Sequence, residues 1–168
     1  YSKNTIWVVT FKSLTFSRRC TMIESNREIK KPSEKREIMP RFEASALRGY
    51  CVSVLTASGV ERSCAEAVAD ALIDAELTGV STHGVSRLAV YMQRMDAGVM
   101  SRENNIRIVR ESTSTLVVDA GNSLGAAAAK FAMERCIAKA KETGCCFASV
   151  HSSNHFGTAA YYTLSLIH

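Results

Sequence analysis

Two short segments hold side chains suited to proton transfer and anion binding. The first is Ser81-Thr82-His83-Gly84-Val85-Ser86-Arg87. A helix starting here would put Arg87 one turn beyond His83, on the same face. Arginine grips a carboxylate in two places, and a helix start adds backbone donors. The pattern suits an anionic ligand, with Thr82 exposed beside it. The plainer alternative is a capping threonine followed by an arginine in a surface salt bridge. The second segment is His151-Ser152-Ser153-Asn154-His155-Phe156-Gly157. It follows the apolar run Cys145 to Val150 and precedes a helical pattern. In α/β proteins ligands bind beyond the carboxyl ends of strands. His155, next to Asn154, suits proton transfer because imidazole titrates near working pH. The alternative is a loop histidine with no role. His151 and His155 stand four apart, but zinc needs further ligands and no cysteine pairs with them, so no metal is expected.

Periodicity supplies the elements around these segments. Leu47, Tyr50, Cys51, Val54 and Leu55 line one face of a helix that ends near Ser58-Gly59. Ser63 and Glu66 form a capping-box pattern, so a second helix is expected to start there and stop at Gly79. Its buried face would be Ala65, Val68, Ala69, Leu72 and Ile73. Val85, Leu88, Tyr91 and Met95 predict a third helix from about Gly84 to Ala97. The period then changes. Ile106 to Arg110 and Ser114 to Asp119 read as two strands paired through a turn at Ser112. A helix over Ala126 to Lys141, a buried strand over Cys145 to Val150 and a helix from Gly157 to Leu166 follow. Three helices and then β-β-α-β-α make an α/β pattern. Gly121 to Gly125 reads as a tight turn. It lacks the G-x-G-x-x-G spacing of a dinucleotide fingerprint, and no acid closes a following strand.

Composition narrows the function classes. The 168 residues are 46% hydrophobic and 22% charged, with 2 prolines, which excludes collagen-like and wholly disordered chains. No apolar run reaches a membrane span's length, so no membrane is expected. The net charge of +5 comes from residues 1–40, with 9 basic and 4 acidic side chains, while residues 41–168 hold 12 of each. A nucleic-acid-binding protein would carry its surplus on the folded body, so no nucleic acid is expected. Six cysteines without a C-x-x-C pair point to reduced thiols and an intracellular compartment. Residues 1–23 have four basic residues and no acid, which suits a mitochondrial transit peptide. Translated sequence upstream of the protein is the better fit, because a presequence begins with methionine. Residues 24–40 alternate charges and include Pro32 and Pro40, as in a linker. Residues 1–40 are therefore expected to be a disordered or non-native leader, with the folded domain starting near Arg41.

Taken in order, Leu77-Thr78-Gly79-Val80-Ser81-Thr82-His83-Gly84-Val85-Ser86-Arg87-Leu88 with Tyr91, Asp119 to Gly125, and Ser153-Asn154-His155-Phe156-Gly157 with Tyr161-Tyr162 resemble the type 2 malate/L-lactate dehydrogenase family. Ureidoglycolate and sulfolactate dehydrogenases are its relatives. The resemblance covers residues from about 42 to 163. It implies a non-Rossmann fold of which residues 41–168 are the N-terminal half. It also implies an oxidoreductase that moves a hydride between NAD or NADP and a small 2-hydroxy or 2-keto acid. His155 matches the family's general acid/base. His83, Arg87, Thr82 and Tyr91 match substrate-side positions, and Thr82 stands where serine is commoner. Ala159 and Asn154 match the cofactor side. A homodimer follows by the same resemblance, while the reduced thiols give a cytoplasmic location, with a mitochondrial location as the alternative. The resemblance stops after Thr163. The alternative function is an incomplete fragment, or a non-catalytic fold relative that binds a partner.

Overall fold

The computed structural model describes residues 6–11 and 41–165. Three helices come first: α1 (Ala44–Ala57), α2 (Arg62–Leu77) and α3 (Ser86–Asp96). Strands β2 (Arg107–Glu111) and β3 (Thr115–Asp119), helix α4 (Gly125–Thr143) and strand β4 (Cys145–His151) follow. The expected mixture of helices and a small sheet is present. One element lies outside it. Strand β1 (Ile6–Phe11) pairs antiparallel with β4, Ile6 opposite Val150 and Phe11 opposite Cys145. No element was expected before Arg41, because that stretch was judged by its charges and hydroxyls. Ile-Trp-Val-Val-Thr-Phe is nonetheless six β-branched or aromatic residues in a row, and it covers an otherwise open strand edge. Cys20 and the expected linker over 24–40 lie outside the described residues.

The sheet runs β1-β4-β3-β2. Its inner pair, β3 and β4, is parallel, with Val118 opposite Val150 and Asp119 opposite His151. Both strands therefore end at the same edge, and the loops that follow them lie side by side. Alternation buries Leu116 and Val118 of β3 and Cys146, Ala148 and Val150 of β4 on one face. Cys136, Ala140, Ala128 and Ala132 of α4 pack on that face. The opposite side of α4, with Ala126, Ala127, Ala129 and Met133, packs into the cluster formed by Leu55, Val68 and Leu72 of α1 and α2. The first turns of α4, Gly125 to Ala129, are apolar on every side and lie between the two layers, where alanine lets both approach closely. Among the described residues, no helix is long and apolar enough to cross a membrane.

Three boundaries differ from expectation. Helix α2 starts at Arg62, and no capping box forms. Arg62 pairs with Glu66 at 2.9 Å, and the Ser63 hydroxyl donates to Glu61 Oε1 at 2.6 Å, so both cap groups are occupied elsewhere. Helix α3 does not begin at Gly84. A separate 3-10 turn holds Ser81–His83, and α3 starts at Ser86. The expected helix from Gly157 is a π-type turn over Tyr161–Ser165. The Tyr162 hydroxyl donates back to the Phe156 carbonyl and holds the preceding loop out of a helix.

Helix α4 begins where it does because Gly125 allows contact with the loop after β4. A Cβ on Gly125 would stand 2.2 Å from the Asn154 carbonyl oxygen and 2.5 Å from that of His155. Backbone sits on both sides of that contact, so neither can yield alone. Gly125→Ala is expected to cost about 2 kcal/mol or more in overpacking. Gly49→Ala, inside α1 with nothing within 4 Å of the added Cβ, is expected to be neutral or stabilising by up to about 1 kcal/mol. Urea midpoints of the two variants against the parent check the contrast. Equal midpoints would show that the α4 contact is loose.

Candidate active site

The site begins with a buried amide. Asn154 is 7% exposed, and its Nδ2 donates to the Asn122 carbonyl, the Asn122 Oδ1 and the Ser123 carbonyl, each at 3.0 Å. These bonds tie the loop after β4 to the turn that opens α4. The Asn122 N–H also donates to the Ser152 carbonyl at 2.8 Å. The next residue, His155, is thereby fixed at the backbone while its side chain remains open to solvent.

Helix α3 supplies the facing wall. The Tyr91 hydroxyl lies 2.7 Å from His155 Nδ1, and their rings are 5.9 Å apart. Tyr91 is 3% exposed, and burial pushes its phenol up to about 12. The hydroxyl therefore keeps its proton near neutral pH. The His83 ring lies 5.3 Å from that of His155. His83 comes from the 3-10 turn, where its Nδ1 is 3.0 Å from the Thr82 hydroxyl. Arg87 Nε donates to the Thr82 carbonyl at 2.6 Å, which leaves the two terminal nitrogens for a ligand. His83, Arg87, Thr82, Tyr91 and His155 thus converge on one place. Desolvation of the His155 ring lowers its pKa below the ordinary histidine value, and the positive charge of Arg87, His83 and Arg94 lowers it further. Its neutral form therefore prevails at neutral pH.

The two residues placed on the cofactor side stand apart from this cluster. The Asn154 carboxamide faces the protein, as described above. Ala159 is exposed at the head of the C-terminal turn, where its carbonyl accepts from the Thr163 hydroxyl at 3.2 Å. Next to it, the buried Thr158 hydroxyl has no hydrogen-bond partner among the described residues. His151 is turned elsewhere, 3.0 Å from the Ser152 hydroxyl and 3.7 Å from Asp119.

Three residues escaped the sequence reading. Arg94 Nη2 reaches Asn154 Oδ1 at 3.4 Å. Its position, three beyond Tyr91 and seven beyond Arg87, is the spacing signal that would have found it. Glu76 Oε1 accepts the Val85 N–H at 2.8 Å and so holds the start of α3 from below. No local pattern announces a cap that reaches over nine residues. Thr158 carries no signal in the sequence at all.

Comparison with known proteins shows the family. A family model described as malate/L-lactate dehydrogenase matches residues 42–168. An L-sulfolactate dehydrogenase of Methanothermobacter thermautotrophicus is 39% identical over 126 residues, 75% of this chain and 36% of that protein. A malate dehydrogenase of Pyrococcus horikoshii is 38% identical over 124 residues, 74% of this chain and 34% of the relative. A solved structure of malate dehydrogenase from Pyrococcus horikoshii superposes with a TM-score of 0.75 at 36% identity, covering 80% of this chain and 39% of that one. The chain spans about a third of the length of these curated relatives.

Gly84 is the hinge of the first wall. A Cβ there would fall 2.0 Å from Glu76 Oε1 and 2.4 Å from its Cδ. Glu76 would have to swing away and release the Val85 N–H. Gly84→Ala is expected to cost about 1–3 kcal/mol, the range for leaving a buried partner unsatisfied. The cost of Gly84→Ala should shrink in a Glu76→Ala background, because the clash and the bond are one event. A double-mutant cycle by denaturant unfolding checks this. Additive costs would show that the two residues act separately.

Proposed function

The chain belongs to the malate/L-lactate dehydrogenase family, and from that membership we propose that it builds the substrate side of a 2-hydroxy acid oxidoreductase. The observation that carries this reading is the His155 ring, held 2.7 Å from a buried tyrosine hydroxyl beside an arginine whose terminal nitrogens are free. His155 is the proton carrier. When its Nδ1–H donates to the Tyr91 oxygen, Nε2 keeps a lone pair for the substrate hydroxyl. Arg87 holds the substrate carboxylate as a planar fork, and His83 with Thr82 lines the same side. Taking the hydroxyl proton leaves His155 protonated, and Tyr91 then accepts from Nδ1 as before. The reverse reaction returns that proton to a keto oxygen.

A nicotinamide cofactor, NAD or NADP, supplies the hydride acceptor when bound. The residues present fit one end of it. The unpartnered Thr158 hydroxyl beside Ala159 offers a buried hydrogen-bonding group, and Asn154 fixes the backbone between them and His155. The fold is read as non-Rossmann, supported by the turn at Gly121 to Gly125, which lacks the dinucleotide spacing.

Two measurements on the protein that carries this sequence test the reading. His155→Gln should lower kcat for 2-hydroxy acid oxidation by about a hundredfold or more. Rates within threefold of the parent would remove His155 from the chemistry. The pH profile gives an independent check. Oxidation needs neutral His155, so kcat/KM should rise with pH and level off, with its inflection below the ordinary histidine value of about 6.5. Reduction needs the protonated form and should fall as pH rises through the same inflection. An oxidation inflection above about 7 would contradict the assignment.

A further inference from the structure

We propose that the Asp119 carboxylate, together with His151, is a positioning element for the proton carrier, clamping the roots of the two turns that carry His155. The inference rests on the 2-hydroxy acid reading above and adds residues that act through the backbone without touching substrate. Asp119 ends β3 and His151 ends β4, and the two stand opposite each other in the parallel register. The Asp119 side chain is 13% exposed and meets groups from three elements. Its Oδ1 accepts the Gly121 N–H of the following turn at 3.0 Å. Its Oδ2 accepts from Arg107 Nη2 of β2 at 2.6 Å. His151 Nδ1, at the end of β4, lies 3.7 Å from Oδ1 and 3.0 Å from the Ser152 hydroxyl. The Gly121 bond holds the carboxyl below its ordinary pKa, and the charges of Arg107 and His151 act in the same direction.

The clamped backbone would not rest in this shape by itself. Among the described residues, the two non-glycine positions with a left-handed φ are Asn122, at 61°, and Ser152, at 53°. One lies in each turn. Asparagine tolerates this region, whereas serine enters it at a cost, so the conformation needs support from its surroundings. The turns lean on each other, because the Asn122 N–H donates to the Ser152 carbonyl at 2.8 Å. Asn154 then bonds to Asn122, and His155 is the next residue. Without the carboxylate, the Gly121 N–H loses its acceptor and His151 its partner at the strand end. The first turn can then relax, the second follows it, and the His155 ring drifts from the Tyr91 hydroxyl. Arg87 and His83 keep their places, since both are held by contacts to Thr82. A displacement of about 1 Å is enough to slow a transfer that depends on alignment.

The test uses the protein that carries this sequence and whichever of malate, lactate and sulfolactate it oxidises fastest, on the plateau of its pH profile. Asp119→Ala should lower kcat at least about tenfold while KM for the hydroxy acid stays within about threefold, the pattern of an interaction needed in the transition state alone. The ratio of kcat in H2O to kcat in D2O should rise, because transfer to a displaced imidazole becomes the slow step. Loss of folded protein would lower kcat and leave that ratio where it was, so an unchanged ratio would overturn the proposal. A kcat within about twofold of the parent would overturn it as well. Ser152→Gly decides the matter if Asp119→Ala does not fold. Glycine takes a left-handed φ freely, so the melting temperature should stay close to the parent's. The turn is then no longer restricted and loses its hydroxyl contact with His151. Its kcat should fall at least about threefold, with the same rise in the isotope ratio, and an unchanged kcat would overturn the proposal. A parent that oxidises none of the three acids would sink the 2-hydroxy acid reading itself, whereas an active parent with unaltered variants would remove only the role of Asp119.

Discussion

The Asn154 carboxamide is the contact on which the rest of the site depends. It joins two loops that leave the sheet at the same edge through three bonds to Asn122 and Ser123, of which the one to the Ser123 carbonyl is fully buried. Its neighbours share the constraint. The loop can approach α4 only because residue 125 has no side chain, and His155 inherits its position from the peptide that Asn154 holds. A side chain read as a ligand contact is thus foremost an internal brace.

The electrostatics of the site follow from that placement. Tyr91 is buried with Leu88 and Met95 on the same helix, so its hydroxyl keeps its proton near neutral pH and serves as a dipole beside His155. His155 sits close to Arg87 and Arg94, which meet no carboxylate among the described residues. Positive charge is concentrated around His155, although charges on the folded body balance. Acids pair with Arg48 on α1, Arg62 on α2 and Arg107 on β2, whereas Arg87 and Arg94 on α3 meet no carboxylate among the described residues.

Much of this could be read in the sequence, and the misses have common causes. Elements with strong periodicity, such as α1 and the β2–β3 pair, emerged with boundaries within a few residues. The fold brings Thr82, His83, Arg87, Tyr91 and His155 together, from two segments whose residue types stand out in the sequence and from the resemblance. What escaped depends on contacts far apart in the chain. Ser63 had a capping pattern, but Arg62 had a competing claim on Glu66. Glu76 acts across nine residues, so no local window shows it, and the contact of Arg94 with Asn154 spans sixty, although its helical spacing from Arg87 and Tyr91 marks it. The strand at Ile6–Phe11 was hidden by reading its surroundings as a leader, although its β-branched run was plain.

The parallel register of β3 against β4 carries a consequence for folding fidelity. Val118 faces Val150, and the Asn122 turn and Asn154 lie only a few residues past that pair. A slip of one residue would turn Val118 or Val150 out of the core, since the side-chain period is two. It would also move the Asn122 turn by about 3.3 Å relative to Asn154, beyond hydrogen-bond reach. A misaligned sheet therefore could not assemble the histidine cluster. The site acts as a proofreading mark for strand alignment, because its closure is possible in one register alone.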